Sequence, residues 1–573
     1  MGLPEGAMYR PRRLPVLLAL SLLLGIAYAL TLFPLSYVAG TSRFWLLPHA
    51  WYELGVDDLG EVVVGYHYLM LTPWGWPLLF APNLGAPDGT NIFWLDAVPW
   101  VSLLGKLAFS LTGDQLNLIG LYDLACFVLP GVVMTALFFA AGQRSLLAAV
   151  TATVFGDAAP VLIFRWPGLA LSAHFLVIAA LALYIATRSQ PAGWSTAWRW
   201  TALLVLAVLT NMYLFLMVGC CWAATALQRW LQPRTNRPRL LLEAAAAVAA
   251  VFVVTVATGI ASHDLRYGAS GAALLGANSM NLVSMIVPQH SGVIPPLAHY
   301  QVGMRSQGEG FAWLGMGALM LLLLSLPAWA SFIRGRWREH AVMIALMIAF
   351  VLFALSNDVY LGSHLIVAIP LPPAVHHVLG TFRSSGRFSW PVVYALTAGS
   401  AILVLRWYRP AVAVPALVLA CALQLVDVGP LRHDVAQNIA GPAMPVLDQQ
   451  RVRTLVQEAN AVFVVPSWGC IYPQVDQRLL PVADRFVLLQ ANMEIQLAAA
   501  RLNRPINSVD NARVPTDCPR EQTLAREPLR EGTAYIYLAG FRPDAGQMSG
   551  HDPAKVCGRD GLLRYCLIRP APR

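Results

Sequence analysis

Charged residues are scarce in this chain of 573 residues: Asp, Glu, Lys and Arg make up 12% of it, whereas 57% is hydrophobic. Soluble domains carry about 25% charged residues, so this scarcity excludes a soluble enzyme, a disordered chain and a coiled coil. Lysine is almost absent, since Lys106 and Lys555 are the only two. The classes that remain are polytopic membrane proteins, namely transporters, channels and membrane-embedded enzymes.

Other signals are also missing. The eight cysteines include no CxxC pair, which disfavours a zinc site. No glycine-rich loop indicates a bound nucleotide, and no internal repeat of the kind seen in many transporters is visible. The net charge of +9 comes almost entirely from Arg. These Arg residues lie in short clusters between apolar runs, which is typical of topology-setting charge and not of a nucleic-acid partner.

Long apolar runs predict about eleven transmembrane helices. The runs lie near residues 14–36, 116–141, 145–163, 170–188, 200–213, 214–229, 240–260, 312–333, 340–356, 389–405 and 410–428. With the N-terminus in the cytoplasm, five Arg-containing loops fall on the cytoplasmic side. We therefore expect an α-helical polytopic membrane protein.

The opposite face receives the long loops, near residues 37–115, 157–169, 261–311 and 357–388. We expect residues 1–429 to form the transmembrane module and residues 430–573 to form a small periplasmic α/β domain. Strand-like runs at 461–466 and 533–538 and a helix-like run at 490–501 support that expectation. Long loops on one face and short basic loops on the other indicate a protein that works on one side of the membrane.

Four cysteines lie in the C-terminal region: Cys470, Cys518, Cys557 and Cys566. They predict an oxidising compartment and up to two disulfides, with three connectivities possible. Cys557 and Cys566 are near enough in sequence to close a small loop. The other four cysteines lie within apolar runs and are interpreted as inert thiols.

Acidic residues cluster in the first long loop, where Asp57, Asp58 and Glu61 precede an apolar stretch. On a helix these positions share one face, and the stretch is compatible with an amphipathic helix lying on the membrane. Clustered carboxylates repel one another unless a cation or a donor compensates them, which suggests a functional site. The alternative is a solvated helix start with Asp as its N-cap.

Several motifs, in order along most of the chain, resemble those of a bacterial group of multipass proteins within the C-type glycosyltransferase (GT-C) superfamily. The motifs are Asp58, Gly65-Tyr66, Pro73-Trp74, Pro77-Leu78, Asp96-Ala97-Val98-Pro99, Ser279-Met280-Asn281-Leu282, Glu309-Gly310-Phe311 and Phe382-Arg383-Ser384-Ser385-Gly386-Arg387-Phe388-Ser389-Trp390-Pro391. The sequence departs from the pattern at Glu61-Val62, where Gln-His is expected, and at Tyr66, where Trp is expected. The resemblance implies a GT-C-like fold and transfer of a sugar from a polyprenyl-phosphate donor to a periplasmic or outer-leaflet glycan, lipid or protein.

Such a reaction needs a carboxylate base for the acceptor hydroxyl and cations for the leaving phosphate. Asp58 aligns with the acid of the group and is the expected base. The expected supporting acids are Asp57, Glu61, Asp96 and Asp157, and the expected phosphate ligands are Arg165, Arg383 and Arg387. The expected substrate-binding residues are His174, Asn281, Glu309 and Trp390. A divalent metal is possible and not required.

Arg383 and Arg387 are informative because they lie outside the membrane, where topology does not call for Arg. Guanidinium groups suit phosphate oxygens; the alternative is pairing with outer-face carboxylates such as Asp358. Two other functions stay open: a transporter or flippase of lipid-linked glycans, which would move substrate without forming a glycosidic bond, and a non-catalytic envelope assembly subunit, which would tolerate loss of the loop acids.

Overall fold

A computed structural model describes most of the chain. The described residues are 13–46, 57–233, 235–262, 275–294, 305–441, 445–471, 482–509, 517–525, 527–538, 555–561 and 563–569.

Helices dominate the first half of the chain. In chain order they are α1 (Arg13–Ala29), α2 (Leu35–Val38), α3 (Arg43–Leu46), α4 (Asp57–Leu71), α5 (Pro99–Thr112), α6 (Ile119–Ala140), α7 (Leu146–Asp157), α8 (Pro160–Phe164), α9 (Phe175–Thr187), α10 (Trp194–Val208), α11 (Met212–Trp230) and α12 (Arg237–Thr258). Two very short strands, β1 (Phe80–Ala81) and β2 (Thr90–Asn91), pair in the loop between α4 and α5.

The second half carries the remaining helices and most of the strands. The helices are α13 (Met316–Arg336), α14 (Ala341–Leu355), α15 (Pro373–Gly380), α16 (Trp390–Trp407), α17 (Pro410–Asp427), α18 (Gly429–Ala440), α19 (Gln449–Glu458), α20 (Val482–Arg501) and α21 (Cys518–Leu524). The strands are β3 (Asp358–Leu361), β4 (His364–Ala368), β5 (Ala461–Val465), β6 (Thr533–Tyr537), β7 (Lys555–Asp560) and β8 (Leu563–Ile568).

Seven helical stretches among the described residues are long and apolar enough to cross a membrane. They are Ile119–Ala140, Leu146–Phe164, Leu169–Thr187, Arg237–Thr258, Met316–Leu355, Ser385–Trp407 and Pro410–Asp427. The 40-residue stretch joins α13 and α14 through a 3-10 turn. An α-helical membrane protein is thereby confirmed. The count of eleven spans stays a prediction, since α1, α10 and α11 are helical but are not among the seven.

The acidic helix α4 forms where the sequence predicts a helix, but it does not lie open on the membrane. From Leu59 to Met70 all side chains are buried except that of Glu61, which is half-buried. Gly60 faces α20, because a Cβ there would lie 2.6 Å from the Met493 sulfur. The amphipathic surface helix expected from the acids is therefore wrong: the run Val62, Val63, Val64 makes the helix apolar on several sides, and such helices are buried.

The C-terminal region contains a four-stranded sheet of order β5-β6-β8-β7, with β5 and β6 parallel and the other pairs antiparallel. Strands β5 and β6 coincide with the two strand-like runs of the sequence. Ile506 connects this sheet to the first long loop: it bridges both Val462 and Leu84, and its carbonyl accepts from the Ala86 amide at 2.8 Å. Disulfides join Cys470 to Cys518 and Cys557 to Cys566.

A buried carboxylate at the end of α17 fixes the segment that leads into α13. Asp427, which is fully buried, accepts hydrogen bonds from the Trp313 indole at 2.8 Å and the Met316 amide at 3.1 Å. The Ser291 hydroxyl also donates to it. Three donors from two separate segments thus converge on one side chain.

We expect Asp427→Ala to destabilise the protein by at least about 3 kcal/mol, because it leaves buried donors without an acceptor. A large fall in the Tm of the purified protein in detergent checks this. Asp114→Ala removes an exposed carboxylate of the first long loop and should leave the Tm nearly unchanged. Equal Tm values for the two variants would contradict the role given to Asp427.

Candidate functional site

Two guanidinium groups meet at the carboxylate of Glu309. Arg165 donates to it at 2.8 and 3.2 Å, and Arg387 donates through Nε at 2.7 Å. The side chains of Arg165 and Arg387 are only 11% and 12% exposed, whereas that of Glu309 is 25% exposed. The cluster is therefore mostly buried, but solvent still reaches Glu309. It joins three loops that are far apart in sequence.

Two glycines allow this meeting. Glu309 lies in the 3-10 turn Arg305–Gly310, and Arg387 lies in the 3-10 turn Ser385–Ser389. A Cβ on Gly386 would lie 2.4 Å from the Gly310 Cα, and a Cβ on Gly310 would lie 2.2 Å from the Ser279 carbonyl oxygen. Only glycine permits backbones to approach so closely, so these positions hold Glu309 and Arg387 together.

The electrostatics of Glu309 follow from its neighbours. Burial alone would raise the pKa of its carboxyl group, but the charges of Arg165 and Arg387 outweigh burial and lower this pKa from 4.5 to about 2. Arg383 adds to the same effect. Because three guanidinium groups act on one carboxylate, the cluster retains an excess of positive charge. Arg383 makes no hydrogen bond or ion pair within the described part of the chain.

The N-terminus of α11 connects this basic cluster to an acidic residue. Asn211 caps the helix by accepting from the Tyr213 amide at 2.8 Å, and it donates to the Asp96 carboxylate at 3.0 Å. The Tyr213 ring lies under the Arg387 guanidinium, 4.6 Å from ring centre to Cζ, and its hydroxyl accepts from the Ser384 amide at 3.2 Å. Two residues of one helical cap therefore contact Asp96 on one side and Arg387 on the other.

The same acidic residue lies close to α4. A Cβ on Gly65 would lie 2.7 Å from the Ala97 Cβ, so α4 packs directly on the Asp96–Ala97 turn, where Asp96 has a left-handed φ of 52°. Positions 58, 61 and 65 share one helix face by their spacing. The side chains of Asp57 and Asp58 lie outside the described residues, and their roles stay predictions.

Metal binding was left open by the sequence. Within the described ranges, no three His, Cys, Asp or Glu side chains are grouped so that they could hold a metal ion. Asp57 and Asp58 are outside that search.

The remaining predicted residues have partners within the protein. Asn281 is fully buried and bonds with Gln307 and with both backbone groups of Gly362. His174 bonds through Nδ1 to the Tyr394 hydroxyl at 2.8 Å and packs on Trp390. Asp157 is buried near the end of α7, where one of its oxygens accepts from the Gly131 amide at 2.6 Å. Glu309 holds the two Arg side chains, and its expected contact with sugar stays a prediction.

A buried acid beside the cluster was not predicted from the sequence. Asp123, in α6, accepts from the Tyr37 hydroxyl at 2.8 Å and from the Trp166 indole at 2.9 Å. Trp166 directly follows Arg165, so Asp123 fixes the backbone that carries one of the cluster's guanidinium groups. Its signal was present in the sequence, as a single acid within an apolar run, and such residues are usually functional or paired.

Comparison with known proteins gives one family. A family model described as a domain of unknown function (DUF6311) matches residues 22–429. No curated protein matches the chain.

The solved structures that are similar to it include the following two. The apo oligosaccharyltransferase of Archaeoglobus fulgidus has 12% sequence identity and a TM-score of 0.46, and the match covers 87% of this chain. The chain spans 65% of that protein's length. ArnT of Cupriavidus metallidurans in the apo state has 14% identity and a TM-score of 0.39, and the match covers 96% of this chain and 97% of ArnT. Because both TM-scores lie below 0.5, the chemistry of the site rests on this chain's own residues.

We expect Gly386→Ala to separate the two 3-10 turns, because the added methyl would lie 2.4 Å from the Gly310 Cα and a backbone cannot swing aside as a side chain can. The Tm should fall by several degrees. In Gly335→Ala, a Cβ meets open space within α13, and the change should be neutral or stabilising by up to about 1 kcal/mol. Similar Tm values for both variants would contradict the close approach.

The low pKa of Glu309 predicts a pH dependence. Its ionised form stabilises the fold above the unfolded-state value of 4.5, and this contribution is lost as the pH falls toward about 2. The stability advantage of wild type over Glu309→Gln should hold near neutral pH and shrink by about 3 kcal/mol across that window. Denaturation of both proteins over a pH series measures it, with Asp114→Asn as the exposed-carboxylate control. A difference that stays constant down to pH 2 would exclude the ion cluster.

Proposed function

The chain belongs to the DUF6311 family, and we propose that it is a membrane glycosyltransferase. The proposed donor is a polyprenyl-phosphate sugar, and the proposed acceptor is a glycan, lipid or protein at the outer leaflet or in the periplasm. Residues 1–429 form the catalytic membrane module in this proposal. Residues 430–573 form a periplasmic domain that encloses α4.

The observation that carries the proposal is the convergence of Arg165 and Arg387 on Glu309, with Arg383 acting on the same carboxylate. Leaving phosphate gains negative charge as the sugar departs, and pre-oriented guanidinium groups stabilise that charge. Glu309 keeps the two paired Arg side chains from repelling each other while the site is empty. Arg383 completes the phosphate site from the neighbouring turn.

The proposed base is Asp58. In the reaction it takes the proton of the acceptor hydroxyl while the acceptor oxygen bonds to the anomeric carbon and the bond from that carbon to the phosphate oxygen breaks. The phosphate leaves with the electron pair, toward Arg383 and Arg387. The packing of Gly65 on Ala97 supports this arrangement because it brings the face of α4 that includes position 58 beside the Asp96 turn.

The cap of α11 favours one site that contains both the acidic and the basic residues, and not two separate sites. Asn211 bonds Asp96, and Tyr213 contacts Arg387, so the acidic and basic parts share one rigid support. Catalysis by positioning depends on such support, because small displacements of the reacting groups are costly. Asp57, Glu61 and Asp96 act beside the base in this proposal.

The proposed location is the bacterial inner membrane, with the N-terminus in the cytoplasm and the C-terminal domain in the periplasm. The two disulfides support an oxidising compartment for the C-terminal domain. The basic loops predicted from the sequence support the same orientation.

Asp58→Asn should lower sugar transfer by about 10²–10⁴-fold, because the amide cannot accept the hydroxyl proton. Transfer is measured with purified protein in liposomes, a labelled polyprenyl-phosphate sugar and membrane-extracted acceptors, and the amount of protein in the membrane should not change. Asp114→Asn, in the same loop, should transfer normally. If Asp57→Asn abolishes transfer and Asp58→Asn does not, the base has been assigned to the wrong neighbour.

Arg383→Gln should lower transfer by about 10²-fold or more, because one charge that stabilises the leaving phosphate is removed. It should leave the Tm unchanged, since Arg383 makes no hydrogen bond or ion pair to the described residues. Arg334→Gln removes an exposed Arg near the end of α13 and serves as the control. Full activity of the Arg383→Gln variant would show that Arg383 does not bind the phosphate.

A further inference from the structure

The segment between Asp358 and Arg383 has an unusual surface. It contains no Asp, Glu, Lys or Arg over 24 residues, yet most of it is exposed. It forms the hairpin of β3 and β4 followed by the short helix α15. Its large exposed apolar side chains, each 42–66% exposed, are Leu361, Leu365, Ile366, Val367, Ile369, Val375 and Val378. Such a surface is normally covered.

The pattern of exposure within β4 indicates what covers it. Val367 pairs with Val359 and Leu365 pairs with Tyr360, with Ile366 as the extra residue at an irregularity between the two pairs. Because successive residues of β3 point to opposite faces, Leu365 and Val367 lie on opposite faces of the hairpin, where they are 50% and 45% exposed. A protein partner would cover one face of this hairpin. Apolar residues exposed on both faces instead fit a medium that surrounds the hairpin, as lipid does.

The surroundings of the hairpin agree with lipid. It follows α14 and precedes α16, and both helices belong to stretches able to span a membrane. In the most apolar 18 residues of the stretch Met316–Leu355, only 28% of the residues are buried within the protein. The others are partly or fully uncovered by the protein. The apolar hairpin thus directly follows, along the chain, a stretch whose apolar surface is largely uncovered by the protein.

The hairpin is held to the protein at its turn. The Asn281 side chain donates to the Gly362 carbonyl at 2.8 Å and accepts from the Gly362 amide at 3.0 Å, and the Leu282 amide donates to the Tyr360 carbonyl at 3.0 Å. Asn281 bonds Gln307 at 3.2 Å, two residues before Glu309. The hairpin is therefore anchored to the segment that carries the centre of the ion cluster.

We infer that the hairpin and α15 form an interfacial element immersed in the outer leaflet, at the level of the headgroups and upper acyl chains. A two-stranded hairpin has unpaired backbone edges, which cannot lie deep in hydrocarbon. Interfacial elements enter by about 5–10 Å, where water still reaches such edges. Pro370, Pro372 and Pro373 reduce the number of unpaired amides, since proline has none.

This element sets the depth of the residues that follow it. Arg383 comes three residues after the end of α15, so immersion of the hairpin and α15 holds Arg383 at headgroup level. The inference needs that the chain spans a bilayer, and the choice of leaflet rests on the proposed orientation, but it does not depend on glycosyl transfer.

Fluorescence quenching in nanodiscs tests the inference. Leu365→Cys and Val367→Cys place an NBD label on opposite faces of the hairpin, and Val378→Cys places it on α15. Gln457→Cys, on the exposed face of α19, is the control. The unmodified protein gives the background, because its free cysteines, Cys126, Cys220, Cys221 and Cys421, are buried or half-buried.

The expected result is a blue shift and loss of most NBD emission at both Leu365→Cys and Val367→Cys when the lipids carry a nitroxide at carbon 5. Quenching by nitroxide at carbon 12 should be weaker, and the control should respond to neither. Val378→Cys should show the same quenching as the two hairpin variants. It replaces a hairpin variant as the test if that variant does not fold. Emission like that of the control at all three positions, or protection of one face of the hairpin only, would overturn the inference; the latter would indicate a protein partner.

Discussion

The carboxylate of Glu309, held between Arg165 and Arg387, is the interaction on which the arrangement of the outer loops depends. Taking three charged groups out of water is costly, and removing one partner leaves the others uncompensated. The cluster is therefore stable only when all three loops meet. Gly310 and Gly386 permit the meeting, and Asp123 secures Arg165 through Trp166. These contacts create a concentration of guanidinium groups in a protein otherwise poor in charge.

A second constraint is the enclosure of α4. One side of this helix packs on α20 through Gly60 and Met493, and another packs on the Asp96 turn through Gly65 and Ala97. The first long loop and the C-terminal region are further joined at Ile506. An acidic helix fixed on several sides can present a carboxylate in one orientation, which a base requires. In this account the C-terminal region supports the site by holding α4.

Much of this could be predicted from the sequence, because its signals are local. The apolar runs and the strands near residues 461 and 533 followed from periodicity. Arg383 and Arg387 were selected because their charge lies on the unexpected side, and their role toward phosphate stays a prediction. The partner of Arg387 did not follow from the sequence, since Glu309 lies 78 residues away and nothing local distinguishes it from Asp358. The roles of Asn211 and Tyr213 were likewise hidden, because a helix cap reveals its long-range contacts only when packed. The acids of α4 suggested a surface helix, but its consecutive valines were the better guide to its burial.

The most direct test of the central claim is a cryo-EM structure in nanodiscs with a prenyl monophosphate bound. The account predicts the phosphate oxygens within hydrogen-bond distance of the Arg383 and Arg387 guanidinium groups, with the prenyl chain running into the outer leaflet and Asp58 facing the phosphate across the site. A prenyl monophosphate bound elsewhere, with Arg387 still directed only at Glu309, would contradict it.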